Sequence, residues 1–306
     1  MTNHKEDKNA LTRVAKAIPN TPLYAYKTNY FVVTDEDAYS DLFDRLYTKD
    51  GGSPTDLSTI NMFGTYVHCF ACDEELLFEY EEGSDDGTIE DFMTELQEIL
   101  PEDEPFVMIS QYSTGFKHVG GSAYTVTPNE IEATSILEEI ETTAQELNPN
   151  CKINFFYADP QLPAYKLDDY PYYRATTRTN SFRVTDEEKY QKTFEKLHCL
   201  NSDILPADLT VEKNGVKYHA FATCEYLSYD GLEGEEDFIA ELQTILPADE
   251  VFVLVTSFMT DDFVSLTNTA FVANNREVRK LDIRDTAERM TSEMLNNPHY
   301  DLQYQG

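Results

Sequence analysis

From Glu90 to Val107 the chain reads EDFMTELQEILPEDEPFV, in which Phe92, Leu96, Ile99 and Leu100, with Ile89 just before, recur at helical spacing. That pattern predicts an amphipathic helix with one buried stripe. Pro101 ends it, since proline disfavours helical geometry in the residue before it. A near copy, EDFIAELQTILPADEVFV, runs from Glu236 to Val253 with the stripe Phe238, Ile239, Leu242, Ile245, Leu246 and the stop Pro247. An earlier helix is predicted by Tyr39, Leu42, Phe43 and Leu46, and again, with one weaker member, by Tyr190, Thr193, Phe194 and Leu197. Thr34 with Asp37, and Thr185 with Glu188, carry the Thr-x-x-acid pattern of a capping box. Capping therefore explains the repeated VTDE without a catalytic role.

Strands are predicted where apolar residues alternate. YFVV and SFRV place Phe31 and Val33, or Phe182 and Val184, on one face. Further strands are expected at TYVHCFA, ELLFEY, PFVMIS and SAYTVT, and in the second copy at VKYHAFA, EYLSY, VFVLVT and TAFVA. A third helix is expected from about Asn129 to Leu147, and from about Val278 to Leu295. The order strand, helix, two strands, helix, two strands, helix implies an α+β fold, a mainly antiparallel sheet with helices packed on one face. TNYFVVTDEDAYSDLFDRL from Thr28 matches TNSFRVTDEEKYQKTFEKL from Thr179, and HCFAC at His68 lies opposite HAFATC at His219. The matches stay in order, so the chain is a tandem duplication of a module of roughly 120 residues. The expected division is an arm at 1–27, module one at 28–150, a Pro- and Tyr-rich linker at 151–178, module two at 179–298 and a tail at 299–306. LPAYK in the linker echoes LYAYK at Leu23, which suggests a short upstream arm for each module.

Charge changes the picture more than any motif. The 306 residues hold 23 Lys and Arg against 57 Asp and Glu, a formal net charge of -34, while 20 Tyr and 18 Phe and a 41 % hydrophobic content argue for packed structure. Such a charge repels nucleic acid and anionic membranes and attracts basic surfaces. The five cysteines lack framework spacing, the N-terminal stretch lacks an apolar signal core and the longest apolar run, VFVLV, is too short to span a bilayer. A cytoplasmic protein is expected. Residues 50–151 carry 23 acids and one base, Lys117, and residues 218–275 carry 11 acids and no Lys or Arg. Residues 152–217, by contrast, carry ten acids and ten bases.

With the apolar stripe inward, the acids around the second helix should lie on the outer side. The candidate partner-binding residues are Asp85, Asp86, Glu90, Asp91, Glu95, Glu98, Glu102, Asp103 and Glu104 in copy one, and Glu235, Glu236, Asp237 and Glu241 in copy two. Solubility, and the attraction of acids to a helix N-terminus, account for some of this charge. Rows of carboxylates could also imitate nucleic acid, and tandem modules would lengthen the row. In composition and organisation the chain resembles the acidic DNA-mimic proteins with which phages and conjugative elements disarm restriction or CRISPR nucleases. The repeated TN.F.VTDEE.Y...F..L and EDF..ELQ.ILP..E.FV also resemble a module of acidic tandem-module proteins from mobile elements of Gram-positive bacteria, a resemblance that implies no mechanism.

Catalytic and metal chemistry has little footing in the sequence. CFAC at Cys69 to Cys72 has Cys-x-x-Cys spacing, but zinc needs two further ligands and copy two has Ala220 and Thr223 at those positions, so the thiols read as small core residues. EGSDDGTIEDFM imitates a calcium loop from Glu82, yet Met93 stands where a bidentate Glu is required. His68 and His219 occupy equivalent strand positions with no obvious nucleophile beside them in sequence, and read as structural or solvent-facing. No cofactor, metal or catalytic residue is assigned. The expectation is a non-enzymatic binding protein whose partner is basic and nucleic-acid-binding, with anti-restriction or anti-CRISPR inhibition as its concrete form. The alternative is a specific interaction module, such as a toxin-neutralising immunity protein or a regulator.

Overall fold

The computed structural model describes residues 22–60, 64–79, 87–114, 118–151, 153, 173–199, 206–223, 227–231, 234–260 and 266–298. Module one runs β1 (Pro22–Thr28), α1 (Glu36–Asp44), β2 (Leu46–Thr48), β3 (Thr55–Asp56), β4 (Thr59–Ile60), β5 (Tyr66–Val67), β6 (Phe70–Cys72), β7 (Leu76–Phe78), α2 (Ile89–Gln97), β8 (Phe106–Thr114), β9 (His118–Val126), β10 (Ile131–Ser135) and α3 (Ile136–Leu147). Module two repeats the order as β11 (Tyr173–Thr179), α4 (Glu187–Phe194), β12 (Leu197–Cys199), β13 (Ala207–Asp208), β14 (Val211–Lys213), β15 (Val216–Tyr218), β16 (Phe221–Thr223), β17 (Leu227–Tyr229), α5 (Glu235–Gln243), β18 (Phe252–Thr260), β19 (Leu266–Ala273), β20 (Val278–Asp282) and α6 (Ile283–Met294).

The fold is α+β, with two antiparallel six-stranded sheets of matching order, β10-β9-β8-β1-β6-β3 and β13-β16-β11-β18-β19-β20. Even the register is duplicated. Lys27 stands opposite Ala71 and Ile109, and Arg178 opposite Ala222 and Val255. The Asn of the repeated TN pair fixes the chain leaving the central strand. Asn29 Nδ2 donates to Pro105 O at 3.0 Å while its Oδ1 accepts from Val107 N at 2.8 Å. Asn180 makes the same two bonds, each of 2.8 Å, with Val251 O and Val253 N.

Alternation along the long strands divides two cores. Phe106 and Met108 point to the outer face, where Tyr39 and Leu42 of α1 and Phe92, Met93 and Leu96 of α2 cover them. Phe252 and Leu254 do the same beneath α4 and α5. Aromatic edges lock both outer cores alike, with Phe31 meeting Phe106 at 5.0 Å and Phe182 meeting Phe252 at 4.9 Å. Val107 and Ile109 point the other way, into an inner core shared with Val253, Val255, Ala270 and Val272 of module two. The C-terminal helices complete it by crossing over: α3 lies on β19 and β20, and α6 on β8 and β9. Thr125 and Thr291 hydroxyls meet at 3.2 Å, Asn148 Nδ2 donates to Asp249 O at 2.8 Å, and Asn274 Nδ2 donates to Leu147 O at 3.2 Å across this boundary. Gly121 of β9 sits where the two sheets approach, and a Cβ there would lie 2.5 Å from Ser110 O and 2.6 Å from Asn268 Nδ2.

Several sequence expectations shift. The cap of α1 is Asp35, whose Oδ1 accepts from Ala38 N, and that of α4 is Asp186, which accepts from Lys189 N. Thr34 and Thr185 instead donate their hydroxyls, at 3.0 Å each, to the carbonyls of Ile99 and Ile245 just beyond α2 and α5. They tie the two outer helices of each module together. Leu46 and Leu197 are buried as expected, but as the first residues of β2 and β12 rather than in helices. YFVV and SFRV contribute only the isolated bridges Phe31 to His68 and Phe182 to His219, and the strands the sheets use are β1 and β11 just upstream. The first part of each expected third helix is a strand. β-Branched Ile131 and Thr134 favour β10, and the helical stripe begins only after the Ser135 cap, which exchanges bonds with Glu138. LPAYK of the linker lies outside the described residues.

Because the inner core belongs to both modules, replacing buried Ile140 with alanine should cost about 2–5 kcal/mol and lower one common unfolding transition. Calorimetry that resolves two transitions, only one of them moved, would contradict the shared core.

Candidate functional site

The outer helices carry the acids, and their places follow from the packing beneath them. In α2 the apolar stripe fixes the rotation, leaving Glu90 and Glu98 exposed. Asp91 is used locally, its Oδ2 accepting from the backbone N–H of Thr88 at 2.7 Å and from the Thr88 hydroxyl at 3.0 Å. Glu95 turns towards α1 and forms a two-pronged ion pair with Arg45, with Arg45 Nη1 to Oε1 at 3.2 Å and Nη2 to Oε2. Glu102, Asp103 and Glu104 follow on the exposed turn after the helix, where partial burial and the neighbouring Asp103 raise the Glu104 carboxyl above its ordinary range. Asp85, Asp86 and Glu82 of the calcium-like loop lie outside the described residues.

Module two places its acids differently. Glu235 stands at the start of α5 where Ile89 stands in α2, and it is half-buried, so desolvation raises its carboxyl although Lys280 opposes the shift. Glu236 and Asp237 are exposed. Glu241, the counterpart of Glu95, accepts from Lys196 Nζ at 2.5 Å and from Thr193 Oγ1 at 3.1 Å. Lys189 and Lys192 of α4 and Lys196 in the turn after it line a groove against α5, with Asp237, Glu241 and Thr244 opposite. Lys189 Nζ donates to Thr244 Oγ1 at 2.6 Å. In α1 the same helical positions hold Ala38, Asp41 and Arg45. Arg183, where module one has Val32, pairs with Asp249 at 3.0 Å and Glu250 at 2.5 Å. Arg183 and Lys196, from the charge-balanced stretch 152–217, thus fold onto acids of residues 218–275.

The acids of the two modules thus form an asymmetric pair. Among the described residues no Lys or Arg forms an ion pair with Glu90, Glu98, Glu102, Asp103 or Asp41 of module one, whereas module two supplies a base to Glu241, Asp249 and Glu250. Nor do the rows join end to end. The sheets bury their inner faces against each other, so the helical faces look away on opposite sides of the molecule.

A second constellation was hidden from sequence spacing. His68 Nε2 lies 3.0 Å from Glu36 Oε2 and its Nδ1 3.5 Å from Ser58 Oγ. His219 repeats this with Glu187 Oε1 at 3.1 Å and Thr210 Oγ1 at 3.3 Å. The Tyr39 and Tyr190 rings each cover their histidine at 4.0 Å. Ser, His and acid are the residue types of nucleophilic catalysis, but the exposure is inverted. A catalytic acid is buried and orients the ring, whereas here the histidine side chains are 5 % and 1 % exposed and the glutamates 56 % and 51 %. The arrangement satisfies both nitrogens of a buried ring and bridges the first helix of each module to its sheet. Of the two sequence readings, structural or solvent-facing, burial of both histidines supports the first.

Cys69 and Cys72 are both buried; Cys69 Sγ donates to Thr28 O at 3.6 Å, and burial lifts the Cys72 thiol to about 11. Neither is a ready thiolate. Among the described residues no group of three or more His, Cys, Asp or Glu is arranged to hold a metal, and no helix is long and apolar enough to cross a membrane. The chain matches no protein-family model, no curated protein and no solved structure.

Burial holds the His219 pKa below its ordinary value, although Glu187 pulls it upward. The unfolded chain then binds more protons than the folded one once pH falls below the usual histidine pKa of about 6.5. This contribution is complete above that pH and is lost as pH drops towards the folded value. Melting curves from pH 7.5 down to about 5.5 should show the wild type losing stability faster than His219→Gln, which melts lower throughout. Parallel curves would contradict the assignment.

Proposed function

We propose that the chain is a non-enzymatic, cytoplasmic binding protein that presents the outer face of module one to a basic, nucleic-acid-binding protein and competes with nucleic acid for it. Inhibition of a restriction or CRISPR nuclease is the concrete form of this reading. The observation that carries it is the asymmetry between two copies of one fold. In module two the α1 positions and the segment just before them accept lysine and arginine without loss of architecture, with Lys189 and Lys192 at the places of Ala38 and Asp41 and Arg183 at the place of Val32. Module one leaves its exposed carboxylates without those bases. Solubility alone gives no reason to concentrate the excess on one side.

The physics of such a face follows from its charge density. Proteins that bind duplex DNA neutralise phosphates with Lys and Arg and release counterions. Carboxylates held on packed helices can meet the same cations, and their rigid support keeps the ordering cost of docking low. Association should be fast at low salt and weaken as ionic strength rises.

Binding to the partner should be lost when Glu90, Glu98, Glu102 and Asp103 are changed together to Lys, and should survive Glu236→Lys with Asp237→Lys. The measurement is capture of DNA-binding proteins from nuclease-treated bacterial lysate, followed by elution with short duplex DNA. A partner retained by the module-one variant, or one that duplex DNA does not displace, would overturn this reading.

A further inference from the structure

Ile60 and Tyr66 face each other across the β4–β5 hairpin, and they are 60 % and 48 % exposed, the two most exposed large apolar side chains among the described residues. An apolar cross-strand pair can serve hairpin stability alone. Module two argues against that need. Counting outward from the matched pairs Ser58 with Thr210 and His68 with His219, the positions of Ile60 and Tyr66 are held by Glu212 and Lys217, which also pair directly across their hairpin. The fold thus accepts a charged pair at this place, and module one gives it over to exposed apolar surface.

The same exchange alters the neighbouring carboxylate. Lys217 Nζ donates to Glu187 Oε2 at 3.0 Å, whereas Tyr66 supplies no cation to the equivalent Glu36. Tyr66 lies 5.4 Å from the His68 ring, which in turn holds Glu36, so the hairpin abuts the N-terminus of α1. Asp35, Glu36, Asp37 and Asp56 are all exposed there. An apolar centre rimmed by charge is the arrangement of a protein-binding anchor. Its acidic rim fixes the sign of the partner.

We propose that the Ile60–Tyr66 pair is an apolar anchor that docks into a basic protein segment bearing hydrophobic side chains, beside the carboxylates of α1. This rests on the reading of module one as an acidic docking face and narrows its partner to a polypeptide that is both cationic and apolar. A nucleic acid would be repelled by the rim, and a purely cationic chain would leave the anchor unused.

The test uses the full chain and two fluorescent peptides of equal lysine content, one spaced with serine and the other with leucine and phenylalanine. Anisotropy at low salt should show the apolar-spaced peptide binding about tenfold tighter. Ile60→Glu combined with Tyr66→Lys installs the pair that module two already carries, without changing net charge. It should remove that preference and leave the serine-spaced peptide unaffected; Ile60→Ser alone should remove part of it. Equal binding of both peptides by the wild type, or a preference that persists in the double variant, overturns the anchor while leaving the acidic face intact. Failure of the serine-spaced peptide to bind, or its unchanged binding to the fourfold Lys variant of module one, overturns the acidic face and the anchor with it.

Discussion

The shared inner core is the constraint on which the rest of the structure depends. Each central strand is apolar on both faces, with Phe106 and Met108 outward and Val107 and Ile109 inward. Its own module supplies α1 and α2 for the outer face only. The inner face is covered by the other sheet and by a helix that crosses from the other module. Removing this much apolar surface from water is the dominant favourable contribution to folding, and it can be made only when both copies are present and correctly opposed. The close approach at Gly121 and Asn268 leaves little freedom in how they meet. From this opposition follows the placement of the helical faces on opposite sides, and hence the independence of their surfaces.

That independence explains which residues the duplication kept and which it let diverge. The TN asparagines, the histidine with its glutamate and the edge-to-face aromatics are the same in both copies because each satisfies a buried group or fills a core position. The helix-facing acids Glu95 and Glu241 are also kept, one holding Arg45 and the other Lys196, and they set how the two outer helices lie together. Several positions where the two copies differ in charge reach the surface: Val32 against Arg183, Ala38 against Lys189, Asp41 against Lys192, and the hairpin pair. Module two carries the bases that pair with acids of its outer face, and module one lacks them at those positions.

Much of this was legible in the sequence, since periodicity and duplication follow from local chemistry. The stripes of α2 and α5 and the apolar runs of β8 and β18 read directly. What could not be read was set by distant partners. Arg45 reaches Glu95 across 50 positions and Lys196 reaches Glu241 across 45, so a count of charge along the chain separates groups that fold together. His68 finds Ser58 and Glu36 at separations of 10 and 32, too far apart for any motif. The cap lies one residue beyond its expected place because Thr and Asp both cap well, and only the packing of Thr34 against Ile99 decides between them. The third helix is shorter than its apolar content predicts because β10 precedes it without a break, and pairing with β9 overrides helical periodicity there.

The remaining acids of module one have an energetic consequence that follows from this packing. Their neighbours on the inward side are a stripe of buried apolar residues and one arginine already paired with Glu95. Repulsion among them is relieved only by solvent, salt or an external cation. A surface in that state gains more from a basic partner than one already paired, because no internal ion pair has to be broken first. Module two, whose Lys196 and Arg183 would have to release their carboxylates, starts from the opposite position. The same fold thus holds one face that an external cation can engage at once and one that has largely met its own.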